Sequence, residues 1–244
     1  MVENTPVSEN LAEYYDLIYH DHDYQREVDF LDKVFHKLPK RQVSTVLNIG
    51  CNTGNYAQLL ARNYFVVGVD NSAAMVALAK KKVPDVDFFV EDMRNFNMER
   101  TFDAVVCLNF ALNYNLQEED LERTLRTCAR HLEKDGVLIC NVKQETVQSP
   151  VTIDTADTKD INVARVSQIR QEQDLLHVNN LFLIKDKKKI DFSVDNHKLK
   201  VYSAKVIKRK LKGTGFKRVH VLHGFNFKHF GSSSAEIVII GIKR

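Results

Sequence analysis

Glycine and proline are scarce, 9 and 4 among 244 residues, which excludes a collagen-like repeat and argues against a long disordered tract. The four cysteines, Cys51, Cys107, Cys128 and Cys140, are too widely spaced for a CxxC pair or a zinc-ligand set, so buried free thiols and no metal are expected. No apolar run approaches the length of a membrane span, and the opening MVENTPVSEN is acidic and polar where a secretory leader would be basic and then apolar. A cytoplasmic, reducing setting with no membrane partner is the expectation. Neither sign of charge dominates, with 35 Lys+Arg against 32 Asp+Glu and a formal charge of +3. Bulk electrostatic binding to nucleic acid is therefore disfavoured.

What remains is ordinary globular composition, 44% hydrophobic and 27% charged, in a chain long enough to bury a core without disulfides or metal. Residues 8–38 repeat apolar positions at helical spacing, with Val28, Leu31, Val34, Phe35 and Leu38 forming one stripe before Pro39. Strand patterns then alternate with helical ones. Strands are expected at 45–49, 65–70, 86–90, 102–108 and 136–142, and helices start near Tyr56, at 72–82 with Ser72 as cap, and at 120–132. Such alternation implies βαβ crossovers and a parallel, doubly wound α/β sheet covered on both faces.

After Pro150 the texture changes. Three polar–apolar alternating stretches, 163–169, 175–184 and 190–201, are separated by turn-like Gln171-Glu172-Gln173-Asp174 and a lysine-rich run at 185–189, and predict a small antiparallel insert. A helix at 203–212 and two β runs at 216–222 and 235–242 close the chain. The expected organisation is a helical N-terminal lid at 1–38, an α/β core at 39–150, the insert at 151–201 and a tail at 202–244 that completes the core.

The first strand ends in Gly50-Cys51-Asn52-Thr53-Gly54, and a glycine turn there presents backbone N–H groups to the crevice where open α/β sheets bind ligands. Asp70 ends the second strand, where a carboxylate is placed to accept both hydroxyls of a ribose. The middle glycine of G-x-G-x-x-G and a Walker lysine are both absent, which leads away from dinucleotides and nucleoside triphosphates and toward an adenosine-containing cofactor.

VLNIGCNTGNYAQLL, VVGVDNSAAMVALAKKK, FFVEDMRNF, FDAVVCLN and HLEKDGVLI, in that order, resemble the successive motifs of class I S-adenosylmethionine-dependent methyltransferases. The resemblance covers nearly the whole chain and implies a Rossmann-like seven-stranded sheet and S-adenosyl-L-methionine as cofactor. It implies that Gly50 and Gly54 line the methionine moiety, Asp70 binds the ribose, and Asp92 with the Met93 backbone holds the adenine. By the same resemblance Asn71 and Met75 flank the adenosine, and Cys107 and Leu108 offer carbonyls to the cofactor's amino group. Asn48 and Asn52 stand where the family usually has an acid and a glycine. Asn48 then gives up roughly 1 kcal/mol of charge-assisted hydrogen bonding, and Asn52 is the non-glycine residue that most readily takes positive φ.

YYDLIYHDHDYQREVDFL, VARVSQIRQEQDLLHVNNLFLI and DNHKLKVYSAKVIKRKLKGTGF are similar to segments of N,N-dimethyltransferases of nucleotide-linked amino sugars. That resemblance implies a small-molecule acceptor, an amine among the choices. The tryptophan-rich stretch those enzymes carry after strand five is replaced by Asn141-Val142-Lys143-Gln144, and the chain has no Trp at all. Methyl transfer from a sulfonium is an in-line displacement that asks the protein to aim, desolvate and deprotonate the acceptor. Tyr15, Tyr114 and His197 are the candidates for that work, with Tyr19 beside them and Tyr24 shared with the cofactor set. Three alternatives stay open: methylation of a nucleic acid, suggested by the basic run Lys205 to Lys212; methylation of a protein; and a degenerate scaffold. A metal at His220, His223 and His229 is disfavoured because it lacks acid or thiol partners at ligand spacing. A homodimer is compatible with the sequence.

Overall fold

The computed structural model describes residues 9–144, 150–187, 189–227 and 236–244. Ser8, Lys188, His229 and Ala235, each part of an expectation above, lie outside the described residues.

A 3-10 turn at Glu9–Tyr14 leads into the short α1, Tyr15–Ile18, and after a break α2 runs Tyr24–Lys37. Asp23 caps α2 by accepting from the Arg26 N–H. The core then alternates β1 (Thr45–Ile49), α3 (Asn55–Leu60), β2 (Phe65–Asp70), α4 (Ala73–Lys82), β3 (Asp87–Val90), β4 (Phe102–Cys107), α5 (Glu118–Arg130) and β5 (Leu132–Lys143). Ser72 caps α4 through the Met75 N–H, as its position before the apolar period suggests.

The insert holds four strands, not three: β6 (Thr152–Asp157), β7 (Ile161–Glu172), β8 (Leu175–Asp186) and β9 (Lys189–Lys200). β6 has no readable period because TIDTAD is exposed at every position but Ala156. It is held by pairing with β7, and pairing leaves little trace in side-chain type. The hairpin tips fall where the turns were expected, with Gln173 at φ +56° and Lys187 at +54°. The chain returns through α6 (Ala204–Gly213), capped by Ser203, and ends in β10 (Phe216–His223) and β11 (Glu236–Lys243).

The large sheet has seven strands in the order β10-β11-β5-β4-β1-β2-β3. β11 runs antiparallel to both of its neighbours, β10 and β5, while β1 to β5 are parallel. Strand residues alternate between two cores. Val46, Ala104 and Val106 face α2, α3 and α4, and Leu47, Ile49, Val105 and Cys107 face α5 and α6. The amino-terminal edge is pinned by Asp103, whose Oδ2 accepts from the backbone N–H groups and hydroxyls of Ser44 and Thr45 at 2.9–3.0 Å.

The second sheet is a four-stranded meander, β6-β7-β8-β9. Its inner face, with Val163, Phe182 and Ile184, packs on Leu11, Tyr14, Leu17 and Ile18 of the N-terminal segment. The opposite face leaves Ile153, Leu181, Leu183, Phe192 and Val194 exposed. No described helix is long and apolar enough to cross a membrane.

Candidate active site

The turn after β1 is built on left-handed backbone. Gly50 has φ +68°, Asn52 +48° and Gly54 +85°. Asn52 thus occupies the conformation for which a glycine is usual, and Asn is among the few other residues that tolerate it. At Gly54, the cap of α3, a Cβ would sit 3.2 Å from the Ala79 Cβ and 3.3 Å from the Phe88 ring, so both φ and space call for glycine.

Asp70 closes the turn from β2. Its two oxygens accept from the Asn52 N–H at 2.9 Å and the Ser72 N–H at 3.0 Å. Burial pushes its pKa up, opposed by these backbone donors and that of Asn71. The carboxylate keeps acceptor capacity beyond these backbone donors, which a ribose hydroxyl could use.

Asn48 lies beneath the turn at 0% exposure, and among the described residues neither its Oδ1 nor its Nδ2 has a hydrogen-bond partner. A buried side-chain amide with both ends unpaired costs free energy unless a ligand or water satisfies it. This orphan amide supports the reading of position 48 as part of a polar ligand site.

The N-terminal segment covers the crevice. Ala12 and Tyr15 pack on Met75, and Asp16 tethers the segment to the turn. Its carboxylate accepts from Thr53 Oγ1 at 2.6 Å and Asn55 Nδ2 at 3.0 Å and pairs with Lys82 at 2.5 Å. Burial raises the Asp16 pKa, but Lys82, Thr53 and Asn55 outweigh it and hold the carboxyl below its usual range.

Two further expectations meet the structure with a difference. Asp92 is gripped by Arg94, with Nε to its oxygens at 2.9 and 3.0 Å and the Arg94 N–H to Oδ1 at 2.9 Å. An adenine contact must share those oxygens. Asn71 is exposed, whereas Cys51, Cys107 and Leu108 are fully buried and offer only backbone groups to a ligand. Met93 is half-buried against the α5 side of the sheet.

The acceptor candidates converge. The Tyr15 and Tyr19 ring centroids are 4.6 Å apart, and Tyr114 meets His197 edge-on at 5.8 Å. Burial raises the Tyr15 hydroxyl, with Tyr24, Tyr19, Tyr114 and Asp70 adding to the shift, and burial likewise raises Tyr114, with Tyr19, Asp195 and Asp70 adding. Residues from α1, α2, β2, the Ala111–Tyr114 turn and β9 thus share one electrostatic neighbourhood at the carboxyl end of the parallel strands.

Sequence reading missed a second polar group here. Tyr56 of α3 donates to Glu27 of α2, lies 3.4 Å from His22 Nε2 and 3.2 Å from Asn109 Oδ1. Asn109 and Phe110, just after β4, both have left-handed backbone, φ +53° and +59°, and Asn141 Oδ1 receives the Phe110 N–H at 3.2 Å. A bulky residue in that region is strained, and the strain sits in the loop that delivers Tyr114. His22, Glu27 and Tyr56 belong to three segments whose approach carries no local signal in sequence.

Residues 46–136 match the methyltransferase domain family. The dTDP-3-amino-3,6-dideoxy-alpha-D-glucopyranose N,N-dimethyltransferase of Streptomyces fradiae is 26% identical over 216 residues, 85% of this chain and 84% of that one. The chain superposes on DesVI of Streptomyces venezuelae with a TM-score of 0.83 at 24% identity, covering 96% of this chain and 98% of that one. For the sugar N-methyltransferase KedS8 of Streptoalloteichus the TM-score is 0.84 at 23% identity, covering 94% and 92%. The chain carries a methyltransferase domain and is an S-adenosylmethionine-dependent methyltransferase.

The methyltransferase's own residues fit that cofactor. The left-handed turn at Gly50, Asn52 and Gly54, the Asp70 carboxylate and the orphan amide of Asn48 form the donor and acceptor set that an adenosine with an amino-acid tail requires. The bound cofactor supplies an electrophilic methyl group on a sulfonium. The Asp16-tethered segment packs over the turn, and Tyr15, Tyr114 and His197 share the neighbourhood beside Asp70. Two open surface clefts, one beside Phe30 and Phe227 and one beside Gln117 and Tyr202, contain none of these residues and belong to other faces.

Proposed function

We propose that this methyltransferase transfers the methyl group to the nitrogen of a small amine, of the amino-sugar class. The observation that carries this reading is the convergence of Tyr15, Tyr19, Tyr114 and His197 beside the Asp70 crevice. They form a wall of tyrosine hydroxyls, with Tyr15 buried, Tyr114 half-buried and Tyr19 at the rim, and one imidazole able to orient a nitrogen lone pair and take its proton. The Streptomyces fradiae relative, named for N,N-dimethylation of a nucleotide-linked 3-amino sugar, supports the same acceptor class.

Tyr15 holds the acceptor from the lid side and Tyr114 from the sheet side, while Tyr24 spans lid and cofactor. The buried free thiols Cys51, Cys107, Cys128 and Cys140 agree with a reducing, cytoplasmic setting. A nucleic-acid acceptor is the weaker reading because the basic face of α6 is partly neutralised: Arg209 pairs with Glu118 at 3.1 Å and Lys210 with Glu122 at 3.1 Å.

The test is a mass-spectrometric assay with S-adenosylmethionine and dTDP-3-amino-3,6-dideoxyglucose, run beside the corresponding 3-hydroxy sugar. Methylation of the amine alone is expected. Methylation of the hydroxyl analogue at equal rate, or of neither by protein that binds the cofactor, contradicts the amine reading.

A further inference from the structure

Asp195 and His197 lie two residues apart on β9, so both side chains leave the same face of the strand. That face is the inner one. His197 Nε2 is 2.7 Å from Asp195 Oδ2, and each side chain is 8% exposed. A carboxylate only accepts, so Nε2 carries the hydrogen and donates it. The other ring nitrogen, Nδ1, is then an acceptor. Among the described residues it is buried without a hydrogen-bond partner.

Nothing in the packing of β9 requires an imidazole with one satisfied and one empty nitrogen, and the ring is near the acceptor wall. The ring meets Tyr114 edge-on, and Tyr114 in turn feels both Asp195 and Asp70. The dyad thus lies one aromatic ring from the carboxylate that marks the cofactor crevice.

Its charged and titratable neighbours come from several elements. Asp195 stands on its own strand and Asp70 across the crevice. From α1 and the residue after it come Tyr15 and Tyr19, both with raised hydroxyl pKa and therefore neutral. Arg165 of β7 lies 5.0 Å over the Tyr19 ring, but Asp154 of β6 holds it at 2.6 Å. From β8, Asn180 stands opposite Asp195 and carries no charge.

We propose that the Asp195–His197 dyad is the proton acceptor of the methyl transfer, His197 Nδ1 serving as base and Asp195 fixing the tautomer and stabilising the imidazolium. The proposal rests on the amine reading above. An ammonium acceptor gives one proton to Nδ1, which frees the nitrogen lone pair. That lone pair forms the nitrogen–carbon bond as the carbon–sulfur bond breaks, and the sulfur keeps the broken bond's electrons as a neutral thioether. The methylated nitrogen retains its remaining protons, and Nδ1 returns its proton to solvent when the product leaves. His197 is the catalytic residue and Asp195 a positioning residue.

The test begins without an acceptor, by nitrogen-15 NMR of histidine-labelled protein saturated with S-adenosylhomocysteine. The Nε2–H tautomer is expected for His197, and Asp195→Asn, which removes the carboxylate that fixes it, should let the Nδ1–H tautomer appear. An Nδ1–H tautomer in wild type overturns the proposal. With dTDP-3-amino-3,6-dideoxyglucose as acceptor, His197→Asn should lower kcat by about a hundredfold and leave KM within about threefold. Asp195→Asn should fall between His197→Asn and wild type and displace the acid limb of the pH–kcat profile. Both variants should bind S-adenosylhomocysteine as wild type does. Unchanged kcat and an unchanged acid limb in variants of an active enzyme overturn the dyad alone. A wild type that binds the cofactor and leaves every amine untouched overturns the amine reading and the dyad's role with it.

Discussion

The two sheets solve different problems. The seven-stranded sheet is covered on both faces, with β1, β4 and β11 almost wholly buried, and its ligand groups sit at strand ends where backbone geometry presents them. The four-stranded sheet is covered on one face only. It shows Phe182 and Ile184 to the lid and leaves Phe192 and Leu183 to solvent. Strand-end geometry in the large sheet is written in contiguous residues, so the cofactor half is fixed by short motifs. The cluster of Tyr15, Tyr114 and His197 is assembled from side chains that meet only after the insert folds back on the N-terminal segment.

If that contrast is right, stability should divide sharply between the sheets. Leu47→Ala in β1, at 0% exposure, should cost about 3 kcal/mol in chemical denaturation. Ile190→Ala on the outer face, at 67% exposure, should change stability by no more than about 0.5 kcal/mol. A large loss at Ile190 would mean that the outer face is covered in solution.

A smaller effect should separate lid from core. Asp16→Ala should weaken S-adenosylhomocysteine binding about tenfold by releasing the tether to Thr53, Asn55 and Lys82. The same tether gives a pH signature. The folded-state pKa of Asp16 is depressed, so its contribution is present above the unfolded carboxyl value of 3.8 and is lost as pH falls through the lower folded value. Proteolysis at the N-terminal segment should therefore accelerate only in acid, below about pH 4, and Asp16→Ala should already show that acceleration at neutral pH.

Asn48→Asp gives the smallest and most diagnostic change. Placing a charge at a fully buried position with no partner should lower the melting temperature of the cofactor-free protein. Cofactor binding should tighten by about fivefold through a charge-assisted bond to the amino group and restore the loss. A deficit relative to wild type that is the same with and without cofactor would show that position 48 does not face the ligand.

Much of the cofactor half was legible from the residues. The glycine turn, Asp70 at the end of β2 and the cap Ser72 are local, each set by a few contiguous residues, and all three stand where expected. The antiparallel insert was readable as alternation, but β6 was not, because an exposed edge strand needs no apolar period. The side-chain chemistry was harder. His197 was visible as a histidine in a strand, yet its partner Asp195 and the empty Nδ1 are facts of burial and rotamer. Asp16, Glu27 and Tyr56 gain their roles only from long-range approach. Nor does sequence announce that Arg94 grips Asp92 or that Phe110 takes positive φ.

The central claim is that a left-handed turn and one strand-end carboxylate hold the cofactor. Calorimetric titration with S-adenosylmethionine and S-adenosylhomocysteine, comparing wild type with Asp70→Ala, tests it most directly. The account predicts saturable binding of both ligands by wild type and a loss of about 1–3 kcal/mol in the variant through the missing ribose hydrogen bonds, with circular dichroism confirming that the variant is folded. Equal affinity in a folded Asp70→Ala protein, or no binding by folded wild type, would contradict it.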